Sequence, residues 1–442
     1  MYAWLRPAFA TWPGVSRHVP VVAYSLADQA LSVGGTFLIN VVLARTQTKE
    51  EYGLFVLSYS VFAFLLGLYQ AAVLLPYTTY GAGRYRERFS EYLRLAARSN
   101  AILCLLLSGV LLLVCLVLSR IAPQLLSRAL VGLALTSGVL LTGYLLRRVF
   151  YMQRQPDLAA KCSLVSFLTV AGLLWLTVRV HRLNSFSVFV ILALGWIAAG
   201  ACFGRKLRFG APAQRFLDIE PNYWKEHWTY AKWAVATAFV FQFTTQGYFW
   251  LVGAVLSLKE VGDLKAMYLI VAPVDQIFIA MSLPLVPALA ARYAANRTKD
   301  LLSLWKRYAL VTVGVTSFFA LFLRVTGGLL MHVLYAGKYD DLARHLFVLS
   351  LLPLFLGLGN TMYLVLIASE EPKLVSIAYV CSAAMTFMAG IPLVMHFGLW
   401  GAVYGMLLSG LTYTGALALA FRFRRWRHTS REPLIKSVYG EF

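Results

Sequence analysis

Long apolar stretches, parted by short charged or polar segments, run along almost the whole chain, and twelve of them reach spanning length. They cover residues 21–44, 53–75, 99–119, 129–146, 162–178 and 183–203, then 233–258, 266–291, 308–323, 346–369, 374–395 and 399–420. A helix needs about 20 apolar residues to cross a hydrocarbon core of roughly 30 Å, so each stretch predicts a transmembrane helix. A basic linker at 204–232 divides the twelve into two sets of six. The predicted organisation is an interfacial segment at 1–20, a first lobe at 21–203, the linker, a second lobe at 233–421 and a basic tail at 422–442.

Local matches relate the two sets. Glu51-Tyr52-Gly53-Leu54-Phe55 follows the first span and Glu260-Val261-Gly262-Asp263-Leu264 the seventh, 209 residues apart. Gln155-Pro156-Asp157-Leu158 stands between the fourth and fifth spans, and Glu371-Pro372-Lys373-Leu374 between the tenth and eleventh, 216 apart. Equivalent junctions at nearly equal offsets point to duplication of a six-helix unit. Because six is even, both copies enter from the same side, which predicts a pseudo-two-fold axis along the membrane normal. The expected fold class is an all-α polytopic membrane protein: twelve helices in two six-helix bundles flanking a cleft that opens to either side in turn.

Composition agrees. The chain is 60% hydrophobic and 13% charged, with a mean hydropathy of +0.69, far from the globular norm of about 25% charged. Its net charge of +21 suggests nucleic acid at first sight, but the placement of the bases argues against such a partner. With the N-terminus inside, 29 of the 40 Lys and Arg fall in cytoplasmic segments, including Arg84, Arg86, Arg88, Arg94 and Arg98 in one loop and Arg422, Arg424, Arg425 and Arg427 in the tail. This is the positive-inside bias, and it predicts that both termini are cytoplasmic. The first twenty residues hold Pro7, Pro13 and Arg17, too interrupted for a signal-peptide core, so they are expected to stay on and lie along the membrane surface. The five cysteines fall in or beside spans without metal or redox spacing, and Trp224, Trp228 and Trp233 suit interfacial anchors.

Polar groups at bilayer depth are the candidate chemistry. Asp275 lies near the middle of the eighth span, where a carboxylate costs at least about 2.5 kcal/mol on insertion scales and therefore needs a cavity or a partner. Pro273 precedes it, and Pro284 and Pro287 follow, so this helix should bend or open around the acid. Tyr268, Asp275 and Ser282 share a face; a proton or cation site and a structural acid are both open readings. In the first span Tyr24, Asp28, Ser32, Gly35 with Thr36, and Asn40 form a polar stripe. Asp28 sits about 10 Å in from the cytoplasmic end, at a depth where cavity lining competes with a snorkelling surface role. Gln242, Thr245 and Gln246 give the seventh span a polar face, and Asn360 with Tyr363 the tenth, suited either to helix packing or to a wet cavity. Tyr144, Arg147, Arg148 and Tyr151 share the cytoplasmic end of the fourth span; Lys161 opens the fifth and Lys232 the seventh. Such cations serve as positive-inside anchors or as a mouth that receives phosphate.

No Gly-rich phosphate loop, metal-ligand spacing or nucleophile with a base is legible, and no predicted outer loop exceeds about twenty residues. An enzyme is therefore not expected, nor any cofactor beyond a coupling H+ or Na+.

The stretch Ala27-Asp28-Gln29 through Leu43-Ala44-Arg45 to Glu51-Tyr52-Gly53-Leu54-Phe55 resembles the opening of bacterial polysaccharide repeat-unit flippases of the multidrug/oligosaccharidyl-lipid/polysaccharide exporter superfamily. Leu334-Tyr335-Ala336-Gly337-Lys338-Tyr339 resembles the segment before their tenth helix. The resemblance implies a MATE-like fold in the bacterial inner membrane. It also implies a cargo of O-antigen or exopolysaccharide oligosaccharide on undecaprenyl pyrophosphate, moved to the periplasmic leaflet by alternating access. On that reading the pyrophosphate enters near Arg147, Arg148, Lys161 and Lys232, and Asn40, Gln242, Gln246 and Asn360 face the sugars. Asp275 and Asp28 couple transport to an ion. Expected partners are the lipid-linked oligosaccharide, membrane lipids and the polymerase or assembly machinery. A multidrug antiporter of the same superfamily, a peptidoglycan-precursor flippase and a membrane glycosyltransferase or polymerase are the alternatives; the second typically carries two more helices.

Overall fold

The computed structural model describes residues 15–82, 85, 88–118, 124–207, 220–295, 297–369 and 371–427. The predicted interfacial segment as far as residue 14, the centre of the basic linker and the end of the basic tail lie outside the described residues. Among the described residues every regular element is helical, and the twelve predicted spans map onto them in order.

The first half comprises α1 (Val15–Thr46), α2 (Lys49–Tyr69) continued through a π turn at Gln70–Leu74 into α3 (Leu75–Ala82), α4 (Phe89–Leu118), α5 (Gln124–Met152), α6 (Pro156–Arg179) and α7 (Ser185–Phe203). The second comprises α8 (Glu220–Val255), α9 (Leu258–Val271), α10 (Pro273–Ala294), α11 (Thr298–Tyr335), α12 (Ala343–Leu349), α13 (Leu352–Ala368), α14 (Pro372–Met388) and α15 (Gly390–Arg427). Most helices overrun the predicted spans, because their charged ends continue the backbone pattern past the hydrocarbon. Three boundaries differ by more than this overrun. The linker prediction to residue 232 ends inside α8, which starts at Glu220. The eighth span is cut at Ala272–Pro273, where proline has no N–H to give to the preceding turn. The eleventh stops at Met388 rather than 395, and residues 390–397 join α15 ahead of a break at Gly398, whose φ of 58° suits glycine.

Nine helices among the described residues are long and apolar enough to cross a membrane. Their outward faces carry Leu105, Leu116, Leu310, Phe318, Val325 and Leu329, each more than 60% exposed. Apolar surface on that scale needs lipid, and the chain is a multi-pass membrane protein.

The chain divides into two compact units, residues 1–239 and 240–442, a boundary that falls within α8. In the first, α1 packs on α6, α4 on α5, and α7 on both α5 and α6. In the second, α15 packs on α13 and α14, and α13 also on α10 and α11. The duplicated motifs start helices at the same places, although only Thr48 and not Ser257 caps its helix through the side chain. Thr48 and Ser257, 209 residues apart, are extended-backbone N-cap residues of α2 and α9. Before α6 and α14, Gln155 N donates to Phe150 O at 2.8 Å and Glu371 N to Leu366 O at 2.9 Å, with proline at the first helical position each time. The sequence matches therefore encode the same two helix entries in each unit.

Candidate functional site

Asp28 is held on the buried side of α1. The polar stripe that predicted a lined cavity turns toward α5 and α6, and the Asp28 residue is 1% exposed. A carboxylate buried there needs charge and hydrogen-bond donors to replace water. Arg147 of α5 supplies both: its Nε lies 3.1 Å from Asp28 Oδ1 and its Nη2 2.6 Å from Oδ2, a two-pronged pair. Tyr151, one turn further along α5, donates its hydroxyl to Oδ2 at 2.7 Å, and Ser163 of α6 donates to Oδ1. The remaining Nη1 of Arg147 donates to Ser32 Oγ at 3.1 Å. Three helices are thereby joined by one fully partnered carboxylate.

A cavity of about 50 Å3 adjoins this network, sharing Ser32 and Ser163 and lined further by the hydroxyl residues Thr36, Tyr59, Tyr144 and Ser166. That is room for a water molecule or two, not for a sugar ring.

The other residues expected at a phosphate mouth are placed differently. Arg147 faces inward onto Asp28, with only 12% of its side chain exposed, so its guanidinium is engaged within the unit. Arg148, next in the chain, is exposed. Lys161 pairs with Asp157 at 3.1 Å one turn earlier on α6, and Lys232 is exposed with its ammonium 5.8 Å from the Trp233 ring. Arg147, Lys161 and Lys232 thus each have a partner of their own: a carboxylate of α1, a carboxylate of α6 and the Trp233 ring. Asn40 is buried; it accepts from the Tyr52 hydroxyl at 3.1 Å and donates to Thr36 O at 2.8 Å, which fixes α1 to α2.

In the second unit Asp275 stands in the first turn of α10, immediately after the break at Pro273. The positive end of the α10 dipole favours negative charge in this first turn, although the Asp275 N–H itself donates to Ala272 O at 3.0 Å. The Tyr268 hydroxyl of α9 donates to Asp275 Oδ2 at 3.4 Å. Lys265 lies one turn before Tyr268, its Nζ 5.5 Å from the Tyr268 ring and 5.3 Å from that of Phe249 on α8. Sequence reasoning passed over Lys265 because it fell just outside the predicted eighth span. The spacing Lys265, Tyr268, Asp275 along one helical face was the available signal. Gln242 and Gln246 interact through Thr245 on α8 itself, and Asn360 donates to the Tyr308 hydroxyl at 3.4 Å, packing α13 on α11. Among the described residues no group of His, Cys, Asp and Glu is arranged to hold a metal ion.

A second hydroxyl-and-amide network also escaped sequence reading: Tyr69 donates to Asn100 Oδ1 at 2.6 Å, and Asn100 Nδ2 to Thr142 at 3.0 Å, tying α2, α4 and α5 together.

No protein-family model matches the chain, and no curated protein matches it. Solved structures do. An inward-facing multidrug-resistance MATE transporter of the MOP superfamily superposes with a TM-score of 0.78 over 91% of this chain and 96% of that one, at 11% identity. The fold is that of the MATE transporters. The Vibrio cholerae MATE transporter VcmN, in its bent form, gives a TM-score of 0.60 at 14% identity over 92% of this chain and 98% of that one. A MOP-superfamily transporter from Pyrococcus furiosus, described as having a binding pocket of reversed polarity, gives 0.60 at 11% identity over 93% and 96%. At such identities the MATE likeness fixes the arrangement of helices and not the cargo.

Proposed function

We propose that the chain is a flippase that carries oligosaccharide on undecaprenyl pyrophosphate across the bacterial inner membrane, cytoplasmic to periplasmic leaflet, by alternating access coupled to an ion gradient. A headgroup of sugars and phosphates cannot cross hydrocarbon unaided, since its polar groups lose water without replacement partners. A MATE-like protein with polar side chains in both units lowers that barrier by offering such partners.

The observation that carries this reading is the Arg147–Asp28 pair. Asp28 is the fully buried carboxylate of the first unit among the described residues, and its charge is cancelled by a guanidinium at 2.6 Å. Among the described residues the unit then offers an organic cation no uncompensated buried acid. Its exposed Arg148 suits a phosphate instead. Asp275, at the start of a half-helix in the second unit, is the coupling group in this scheme, because a coupling ion has to bind the two transport states unequally.

Two of the similar solved structures are multidrug-resistance transporters, which keeps a drug antiporter as the second reading. Purified protein in proteoliposomes decides between them. A fluorescent lipid-linked oligosaccharide that changes leaflet only when the protein is present supports the flippase. Extrusion of cationic dyes without movement of the lipid-linked sugar overturns it.

A further inference from the structure

At the junction of α10 and α11, on the face that the charge bias assigns to the cytoplasm, the second unit carries an open, surface-facing cavity of about 440 Å3. This volume lies within the roughly 300–1,000 Å3 range of small-ligand pockets. Its polar lining is Arg292, Arg297, Asp300, Ser303 and Arg307: three guanidinium groups against one carboxylate. None of the three arginines takes part in an ion pair among the described residues. Arg292 is steadied by one bond, from Nη1 to Ala288 O at 2.8 Å.

The backbone adds to the same polarity. Helix α11 is 38 residues long and begins at this cavity, with Arg297 as its N-cap residue and no side-chain cap. An arginine side chain has no acceptor to offer the first-turn N–H groups, and the one acid of that turn, Asp300, meets the positive end of the dipole together with three guanidinium groups, so the local balance stays positive. The three arginines converge on one open hollow rather than on separate stretches of surface. Guanidinium forks and unpaired backbone N–H groups together match the oxygens of a phosphate.

We propose that this cavity is a phosphate-binding site, distinct from the Asp28 and Asp275 centres, for the phosphate group of either a lipid headgroup or a soluble pyrophosphate. The site stands whether or not the chain moves lipid-linked sugar, because it rests on residues that the transport reading does not use. Its position at the cytoplasmic end of two spans lets a lipid headgroup reach it from the leaflet, while its opening admits a soluble anion from the cytoplasm.

The experiment uses the purified full-length protein in detergent and two probes, short-chain phosphatidic acid and sodium pyrophosphate, with phosphatidylcholine as the zwitterionic reference. Binding is read by native mass spectrometry or thermophoresis. The variant R297Q/R307Q removes two lining arginines at exposed positions. The variant K299Q/K306Q removes the same charge from exposed neighbours outside the cavity. The expected result is that R297Q/R307Q weakens binding about tenfold or more per arginine, while K299Q/K306Q changes it little. Loss confined to the phosphatidic acid arm assigns the site to a lipid headgroup, and loss in the pyrophosphate arm assigns it to a soluble phosphate. Failure of wild-type protein to bind either probe above the reference overturns the proposal. So does an equal loss in the two double variants, or no loss in R297Q/R307Q.

Discussion

Arg147 holds Asp28 through two parallel contacts, 3.1 Å from Nε and 2.6 Å from Nη2, across the interface between α5 and α1. Removing one partner of a buried pair leaves the other charge uncompensated, at a cost of about 3–5 kcal/mol when burial is complete. With 12% of the Arg147 side chain exposed, the expected loss for Asp28→Asn is nearer the lower end, about 3 kcal/mol. The double change Asp28→Asn with Arg147→Gln should recover part of it. Thermal unfolding of the three variants in one detergent checks this; additive losses would show that the two groups are not coupled.

Asp275→Asn is expected to fold like the wild type and to lose gradient-driven transport, because the amide keeps the size and the Tyr268 contact but cannot change charge. Tyr268→Phe should retain a larger share of activity. Flipping by the Asp275→Asn protein at the wild-type rate in proteoliposomes removes Asp275 from the mechanism.

Lys265 is stacked between two rings rather than paired with a carboxylate, its Nζ lying 5.3 Å from Phe249 and 5.5 Å from Tyr268. Lys265→Met keeps the apolar stem and removes only the charge. If the cation orients Tyr268 toward Asp275, this variant should slow transport at least as much as Tyr268→Phe while its melting temperature stays within a few degrees. A fall in stability with unchanged transport in the surviving fraction assigns Lys265 to packing alone.

Gly143 lets α5 approach α7: a Cβ at that position would overlap the Trp196 ring. Gly143→Ala should therefore destabilise by about 1–3 kcal/mol through overpacking, and Trp196→Phe should relieve part of the loss. Gly172, on α6, has open space around its Cβ position, so Gly172→Ala should be neutral or gain up to about 1 kcal/mol from helix propensity. Melting temperatures of the two alanine variants should move apart; a common shift would refute the packing argument.

Membrane orientation has its own test. Lys232 and Arg182 are both exposed, and the charge bias assigns them to opposite faces. In spheroplasts of cells carrying single cysteines at these positions in a cysteine-free background, an impermeant maleimide should label the Arg182→Cys protein and spare the Lys232→Cys protein. The reverse pattern inverts the topology.

Hydropathy alone determined that this chain lives in a bilayer and the order of its apolar segments, because the bilayer imposes one length and one polarity on every span. The helix starts were not legible there, since charged turns extend most helices beyond the apolar stretch. The duplicated junctions were legible too: proline after Gln155 and after Glu371, and the Glu51–Phe55 and Glu260–Leu264 matches, are local signals whose geometry is settled within a few residues. Which polar groups meet was decided only by the tertiary structure. Asp28 and Arg147 lie 119 residues apart, and nothing local in either helix says that the acid of one turns toward the base of the other. The same holds for Lys265 against Phe249, and for the three arginines around the hollow at the start of α11. A periodic pattern shows that a side chain faces inward; only the packing of helices from distant parts of the chain fixes what it faces.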